Sequence, residues 1–217
     1  LLPNTYVIPS PSLSSQLPWP KRHALSDCVA AGAPLCSSES SKGDLHTNLT
    51  SASADRTEVS TLGKSLELWG GAGALTVAAA QEGFNTWEPI EAYPPSGYRY
   101  EHDLNRTALR GHLIRTIRSG TLVWTHLGIP CVTWSPLRRI SVGTRRNDRP
   151  LGDGSRDDEN LANGEVKFAI TLMKGAAHAG CFVSLENPAG SYLWKHPGIL
   201  ALLRSPGFSV VQFDQCM

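Results

Sequence analysis

Residues 65–73, Ser-Leu-Glu-Leu-Trp-Gly-Gly-Ala-Gly, constrain the fold of this chain more than any other stretch. A short apolar run that breaks into glycines reads as a strand ending in a tight turn. Glycine takes left-handed backbone freely and lets another backbone or a ligand approach closely. Residues 74–82, rich in alanine, follow directly and stop at Gly83, so the spacing predicts a helix after the turn. Strand, glycine turn and helix in that order open a parallel α/β unit.

The alternation continues. Further strands are predicted over residues 84–91, 98–102, 121–127, 181–186 and 208–213. Helices are predicted from Asn105 to about 118, over 159–179, and from Ser191 toward 204. A long polar loop, residues 128–158, separates the fourth strand from the third helix. Strands alternating with helices imply an α/β fold: a Rossmann-like, doubly wound, mostly parallel sheet with helices on both faces and right-handed crossovers. Residues 1–62 are different. They are rich in Ser, Pro, Thr and Ala, with apolar residues at neither helical nor strand spacing. Such a segment buries too little apolar surface to offset its chain entropy, so it is predicted to be disordered, leaving residues 63–217 as the folded core.

Composition narrows the function classes. No run approaches the ~18 apolar residues of a membrane span. The start carries no basic flank followed by an apolar stretch, so no secretory signal is read there. The five Cys (28, 36, 131, 181, 216) are odd in number and widely spaced. That pattern argues against a disulfide framework or a zinc cluster, and for a reducing, intracellular compartment with no metal. The net charge is +1, so any case for a polyanionic partner rests on local charge. The first residue is not Met and the chain stops at Met217 after an apolar stretch, so a fragment or processed piece is expected.

Three motifs carry candidate chemistry, each at the end of a predicted strand. The first is Trp69 with Gly70, Gly71 and Gly73. Its acidic partner is Glu91, 20 residues beyond Gly71, the distance at which a carboxylate can hold ribose hydroxyls. Asp103, after the third predicted strand, is placed to reach an adenine amino group. A dinucleotide fold prefers G-x-G-x-x-G, and here Thr76 stands where the last glycine belongs. This favours S-adenosylmethionine, which has no pyrophosphate to cradle. The second motif is Pro130-Cys131, where a proline stiffens the backbone before a thiol positioned as a nucleophile. A lone Cys is more often a small buried hydrophobe, but this one lies at the predicted switch point of the sheet, where ligands bind. The third is Glu186-Asn187-Pro188, on the neighbouring strand end, so Glu186 and Cys131 are expected to share one pocket. Alone, it is equally a turn with a surface acid. The loop after Cys131 carries Arg138, Arg139, Arg145, Arg146 and Arg149. This is a solvated basic loop or, beside a nucleophile, a set of phosphate contacts to nucleic acid.

In motif order and spacing, residues 64–213 resemble the DNA cytosine-5 methyltransferases. Residues 66–73 look like the cofactor loop, Pro130-Cys131 like the nucleophile motif, and Glu186-Asn187 like the second catalytic motif, with Pro188 where many members carry Val. The chain departs from the family pattern at Ile129, which replaces a usual proline, and at Trp69, which replaces a usual Phe. The resemblance implies S-adenosylmethionine as cofactor and DNA as partner. It implies Cys131 as the nucleophile toward cytosine carbon-6, Glu186 as the partner of ring N3, and Asn187 holding the loop. The target base would have to leave the duplex. Two other readings remain open: a catalytically inactive remnant that binds cofactor or nucleic acid, and a Rossmann enzyme acting on another substrate or on a nicotinamide.

Overall fold

The computed structural model describes residues 4–9 and 64–213. Its strands are β1 (Asn4–Pro9), β2 (Lys64–Leu68), β3 (Leu122–Leu127), β4 (Phe182–Pro188) and β5 (Phe208–Phe213). Its α-helices are α1 (Ala74–Gln81), α2 (Thr107–Arg118), α3 (Asp157–His178) and α4 (Pro197–Leu203). The five strands form one sheet in the order β2-β3-β4-β1-β5. β2, β3 and β4 pair in parallel, and β1 runs antiparallel to both β4 and β5. The fold is therefore α/β with a mostly parallel sheet, as expected.

Residues 84–91 were expected as a full strand. They instead make isolated parallel bridges to β2, Ser65 to Thr86 and Leu68 to Ile90. Pro89 lies inside this run and has no N–H for a ladder. Because this segment lies on the opposite side of β2 from β3, the order of connections reverses between β2 and β3. A crevice opens at the carboxyl ends of strands at such a reversal.

Alternation along β2 divides the two faces of the sheet. Leu66 and Leu68 enter the core cluster with Leu113 and Ile117 of α2 and with Val166, Ala169, Leu172 and Met173 of α3. Ser65 and Glu67 face the other way, where Glu67 accepts from the Thr76 backbone N–H of α1 at 2.9 Å. α2 buries Leu113 and Ile117, one turn apart, and carries Arg115 and Arg118 in its last turn, where cations suit the helix dipole. α3 opens with Asp157, Asp158 and Glu159 at its positive end. It buries a stripe at Ala162, Val166, Ala169, Leu172, Met173 and Ala176. Each fully buried leucine or isoleucine in this core contributes about 1.5–3 kcal/mol relative to exposure.

Three further expectations are corrected. Residues 4–9 form β1, so that part of the predicted disordered segment is a strand; residues 10–62 lie outside the described residues. Residues 98–102 are not a strand: Tyr100–His102 forms a 3-10 turn, and Arg99 before it pairs with Glu88 and Glu101. The helix expected from Ser191 is split into a 3-10 turn, Tyr192–Lys195, and α4. The break falls at Pro197, which cannot continue a helix from the preceding turn and instead begins α4 with His196 as its N-cap. Among the described residues, no helix is long and apolar enough to cross a membrane.

Candidate functional site

A cavity of about 300 Å³ lies at the crevice between the ends of β2 and β3. Its wall brings together Trp69, Glu91, Asp103 and Pro130, each from a different connection after or beside a strand. Val132 and Thr133 continue the wall from the loop after β3, and Leu161 and Glu165 close it from α3.

The first strand end is locked to the second. Glu91 accepts from the Gly71 backbone N–H at 3.0 Å and from the Tyr93 N–H at 2.8 Å. Two of the roughly four acceptor positions of the carboxylate are thereby used, leaving the others for a ligand diol. Asp103 caps its own turn, accepting from the Asn105 N–H at 2.9 Å and the Tyr98 hydroxyl at 3.1 Å. Trp69 is the one non-glycine residue with positive φ among the described residues, at 55°. For a bulky side chain this costs on the order of 1–3 kcal/mol, and such outliers gather at functional sites. Its ring packs edge-on against Phe168, with centroids 6.3 Å apart, and forms part of the cavity wall.

The glycines serve different ends from those expected. A Cβ on Gly70 would lie 3.0 Å from both the Glu67 carboxyl carbon and Pro89 Cβ, and one on Gly73 would lie 3.0 Å from Pro89 Cγ. These two glycines are needed for packing against residues 84–91 rather than for admitting a ligand. Gly71 has open space around it at a φ of 55° and presents its N–H to Glu91. None of the three lines the cavity; Trp69 is the cavity residue of that motif.

Parallel pairing sets Leu127, the last residue of β3, beside Leu185 of β4, so residues 128–131 leave β3 next to Glu186 and Asn187, which lie within β4 and pair with Tyr6 and Thr5 of β1; the pocket expected to hold both Glu186 and Cys131 is lined by neither. Asn187 is fully buried and donates from Nδ2 to the Ile129 carbonyl at 2.8 Å, tying the two motifs together. Glu186 is half-buried, and burial pushes its carboxyl pKa up. Cys131 is a free, exposed thiol. Its neighbours Pro130 and Val132 line the cavity while Cys131 does not, so the thiol is open to solvent at the rim. Cys181 is buried, with burial raising its thiol to about 11, which makes it inert beside Cys131. Cys28, Cys36 and Cys216 lie outside the described residues.

The basic loop is corrected in part. Arg145 is 1% exposed. Its guanidinium lies 3.5 Å above the buried Trp134 ring and donates to the Pro150 carbonyl at 2.6 Å, Asn163 Oδ1 at 2.9 Å and the Glu159 carbonyl at 3.0 Å. It is an internal brace of the loop and does not reach solvent. Arg138 is paired with Asp158, and Arg146 donates to the carbonyls of Gly143 and Arg145. Arg139 and Arg149 are exposed. The brace bears on Cys131 through Trp134, whose backbone N–H donates to the Cys131 carbonyl at 3.0 Å and whose backbone carbonyl accepts from the Tyr192 N–H at 2.9 Å.

Two contributors were absent from the sequence reading. Arg145 as a brace had no local signal beyond an arginine in a polar loop. Glu165 had one: it lies four residues after Leu161 on α3, so the two share a helix face. No known protein family, curated protein or solved structure matches the chain, so its likeness to any family rests on the motifs themselves.

Proposed function

We propose that this chain is an S-adenosylmethionine-dependent methyltransferase core of Rossmann-like plan that methylates carbon-5 of cytosine in DNA. The observation that carries the reading is the single cavity lined by Trp69, Glu91, Asp103 and Pro130, with Cys131 exposed at its rim. Its volume lies at the lower end of the range for small-molecule sites.

The residues fit the cofactor's chemistry. Glu91 keeps free acceptor positions for the two ribose hydroxyls, Asp103 offers acceptors to the adenine amino group, and Trp69 supplies an aromatic wall. The bound cofactor supplies an electrophilic methyl group. Cys131, as thiolate, adds to carbon-6 of an extruded cytosine, which makes carbon-5 enamine-like and nucleophilic. Glu186 holds ring N3; its raised pKa favours the protonated form that can donate there as charge develops. After the methyl group is accepted, the carbon-5 proton passes to water, its bonding pair re-forms the carbon-5–carbon-6 double bond, and the carbon-6–sulfur bond breaks to release the Cys131 thiolate. Asn187 keeps the two catalytic strand ends in register through Ile129. Arg139 and Arg149 are the loop arginines left to meet phosphate.

Calorimetric titration of the chain with S-adenosylmethionine tests the cofactor assignment. Saturable binding, weakened by about 1.5–3 kcal/mol in Glu91→Ala, is expected for loss of a charged hydrogen-bond acceptor. Absence of binding, or unchanged affinity in the variant, contradicts it.

A further inference from the structure

The cavity wall contains an acid to which the reading above gives no task. Glu165 lies one helical turn beyond Leu161 on α3, and both side chains line the cavity. No Lys or Arg lines it, and His102 is the one basic side chain there. The other carboxylates of the wall each hold two or more groups of the protein, and Glu91 and Asp103 already have tasks in the reading above. Glu91 holds two backbone N–H groups, Asp103 holds Asn105 N–H and the Tyr98 hydroxyl, and Asp158 pairs with Arg138 and Arg156. The Trp69 side chain stands beside the Glu165 carboxyl and favours its charged form, and none of the ion pairs among the described residues includes Glu165. Arg110, whose charge reaches Glu165, donates to the Leu104 carbonyl and Asn105 Oδ1 and lies over the Phe168 ring.

We propose that Glu165 is the specificity-determining residue that makes this cavity favour a positively charged ligand, and that it faces the sulfonium of S-adenosylmethionine. The inference rests on the cofactor reading above and goes beyond it. An anionic wall of low local dielectric attracts a cation more strongly than water does, and it repels a pyrophosphate. The methyl donor carries a sulfonium, and its demethylated product carries a neutral thioether. The attraction to Glu165 therefore disappears when the methyl group leaves, so turnover itself weakens the hold on the product. A second consequence concerns protons. Burial pushes the Glu165 carboxyl up, with Asp103 and Glu91 adding to the rise and Trp69 and Arg110 opposing it; His102 and Asp158 face the same space. A cation placed beside it opposes that rise, so the sulfonium form favours the charged carboxylate.

The test is isothermal titration of the full chain and of Glu165→Gln with S-adenosylmethionine, S-adenosylhomocysteine and NAD. The wild type is expected to bind the sulfonium form about tenfold more tightly than the thioether, about 1.4 kcal/mol, and not to bind NAD. In Glu165→Gln the ratio falls to within about twofold through weaker binding of the sulfonium form. Glu165→Asp, which keeps the charge, retains the preference and serves if the glutamine variant fails to fold. A wild-type ratio near one, or a ratio unchanged in Glu165→Gln, overturns the role of Glu165 while leaving the cofactor reading intact. Binding of neither adenosyl compound to the wild type overturns the cofactor reading itself.

Discussion

Replacing Arg145 by alanine tests whether the loop that carries Cys131 is braced from within. The change removes three hydrogen bonds from a charged donor, to the carbonyls of Pro150 and Glu159 and to Asn163 Oδ1, together with the stack on Trp134. Hydrogen bonds to charged groups contribute about 1.5–3 kcal/mol each before relaxation. The alanine variant also strands Glu159, 1% exposed, which then keeps its Thr144 contacts but loses the nearby positive charge. Arg145 is itself held uneasily: burial lowers its pKa to about 10, and Glu159 and Asp158 oppose the fall. Its removal therefore relieves some desolvation. The net expectation is that of a broken buried charge network, about 3–5 kcal/mol. For a domain of this size each kcal/mol moves Tm by roughly 2–4 °C, so Tm should fall by about 10 °C. Thermal unfolding followed by near-UV circular dichroism reads this directly, since Trp134 lies under the lost guanidinium. Arg145→Lys keeps the charge but not the planar stack or the paired donors, and should lie between the two. A loss under about 1 kcal/mol in Arg145→Ala, combined with weaker DNA binding, would refute the brace and return Arg145 to the phosphate contacts first expected of it.

Two other outcomes follow from the same geometry. His126 and His196, both buried, are each lowered by burial from 6.5 to about 4, with Arg145 and Lys167 adding to the fall at His196. The folded form therefore binds fewer protons than the unfolded chain between pH 6.5 and about 4, so stability is full above 6.5 and is lost as pH falls through that window, by up to ~3 kcal/mol per histidine; urea midpoints that stay level from pH 7 to 4.5 would contradict this. Neutralising the exposed Arg139 and Arg149 should weaken binding to duplexes of any sequence and flatten the log–log salt slope by about one to two, whereas a wild-type affinity insensitive to salt would remove the loop from the interface.

The parts of the fold readable from sequence are those where local chemistry and packing agree. Residues 64–68 alternate polar with apolar from Ser65 on, run into glycines, and become β2; residues 107–118 place Leu113 and Ile117 one turn apart and become α2. The pairing of Gly71 with Glu91 was legible from their 20-residue separation, because a strand, a turn and a helix of ordinary length return the chain to the same end of the sheet. What failed was decided by distant partners. Residues 5–8, Thr-Tyr-Val-Ile, have strong strand preference, but their place between β4 and β5 depends on contacts some 180–200 residues away, and the surrounding Ser and Pro masked them. Residues 98–102 alternate like a strand, yet Arg99 is drawn to Glu88 and Glu101 and Asp103 caps the turn that results. An arginine in a polar loop normally points outward; Arg145 is buried because Trp134 and three acceptors await it, and no sequence spacing announces that. Glu165 was hidden for the opposite reason, being a polar residue on a long amphipathic helix where an exposed acid is the ordinary expectation.

The central claim, methyl transfer to cytosine through a Cys131 adduct, is tested most directly with duplex DNA containing 5-fluorocytosine and S-adenosylmethionine. Fluorine replaces the carbon-5 proton whose loss would expel the thiolate, so the enzyme remains bonded to carbon-6 after the methyl group has been transferred. Denaturing electrophoresis with peptide mass mapping should show a cofactor-dependent protein–DNA adduct on Cys131. Cys131→Ser should lose the adduct while binding S-adenosylmethionine with unchanged affinity, because the thiol stands outside the cavity wall. An adduct that persists in Cys131→Ser, maps to another cysteine, or fails to form with the wild-type chain contradicts the account.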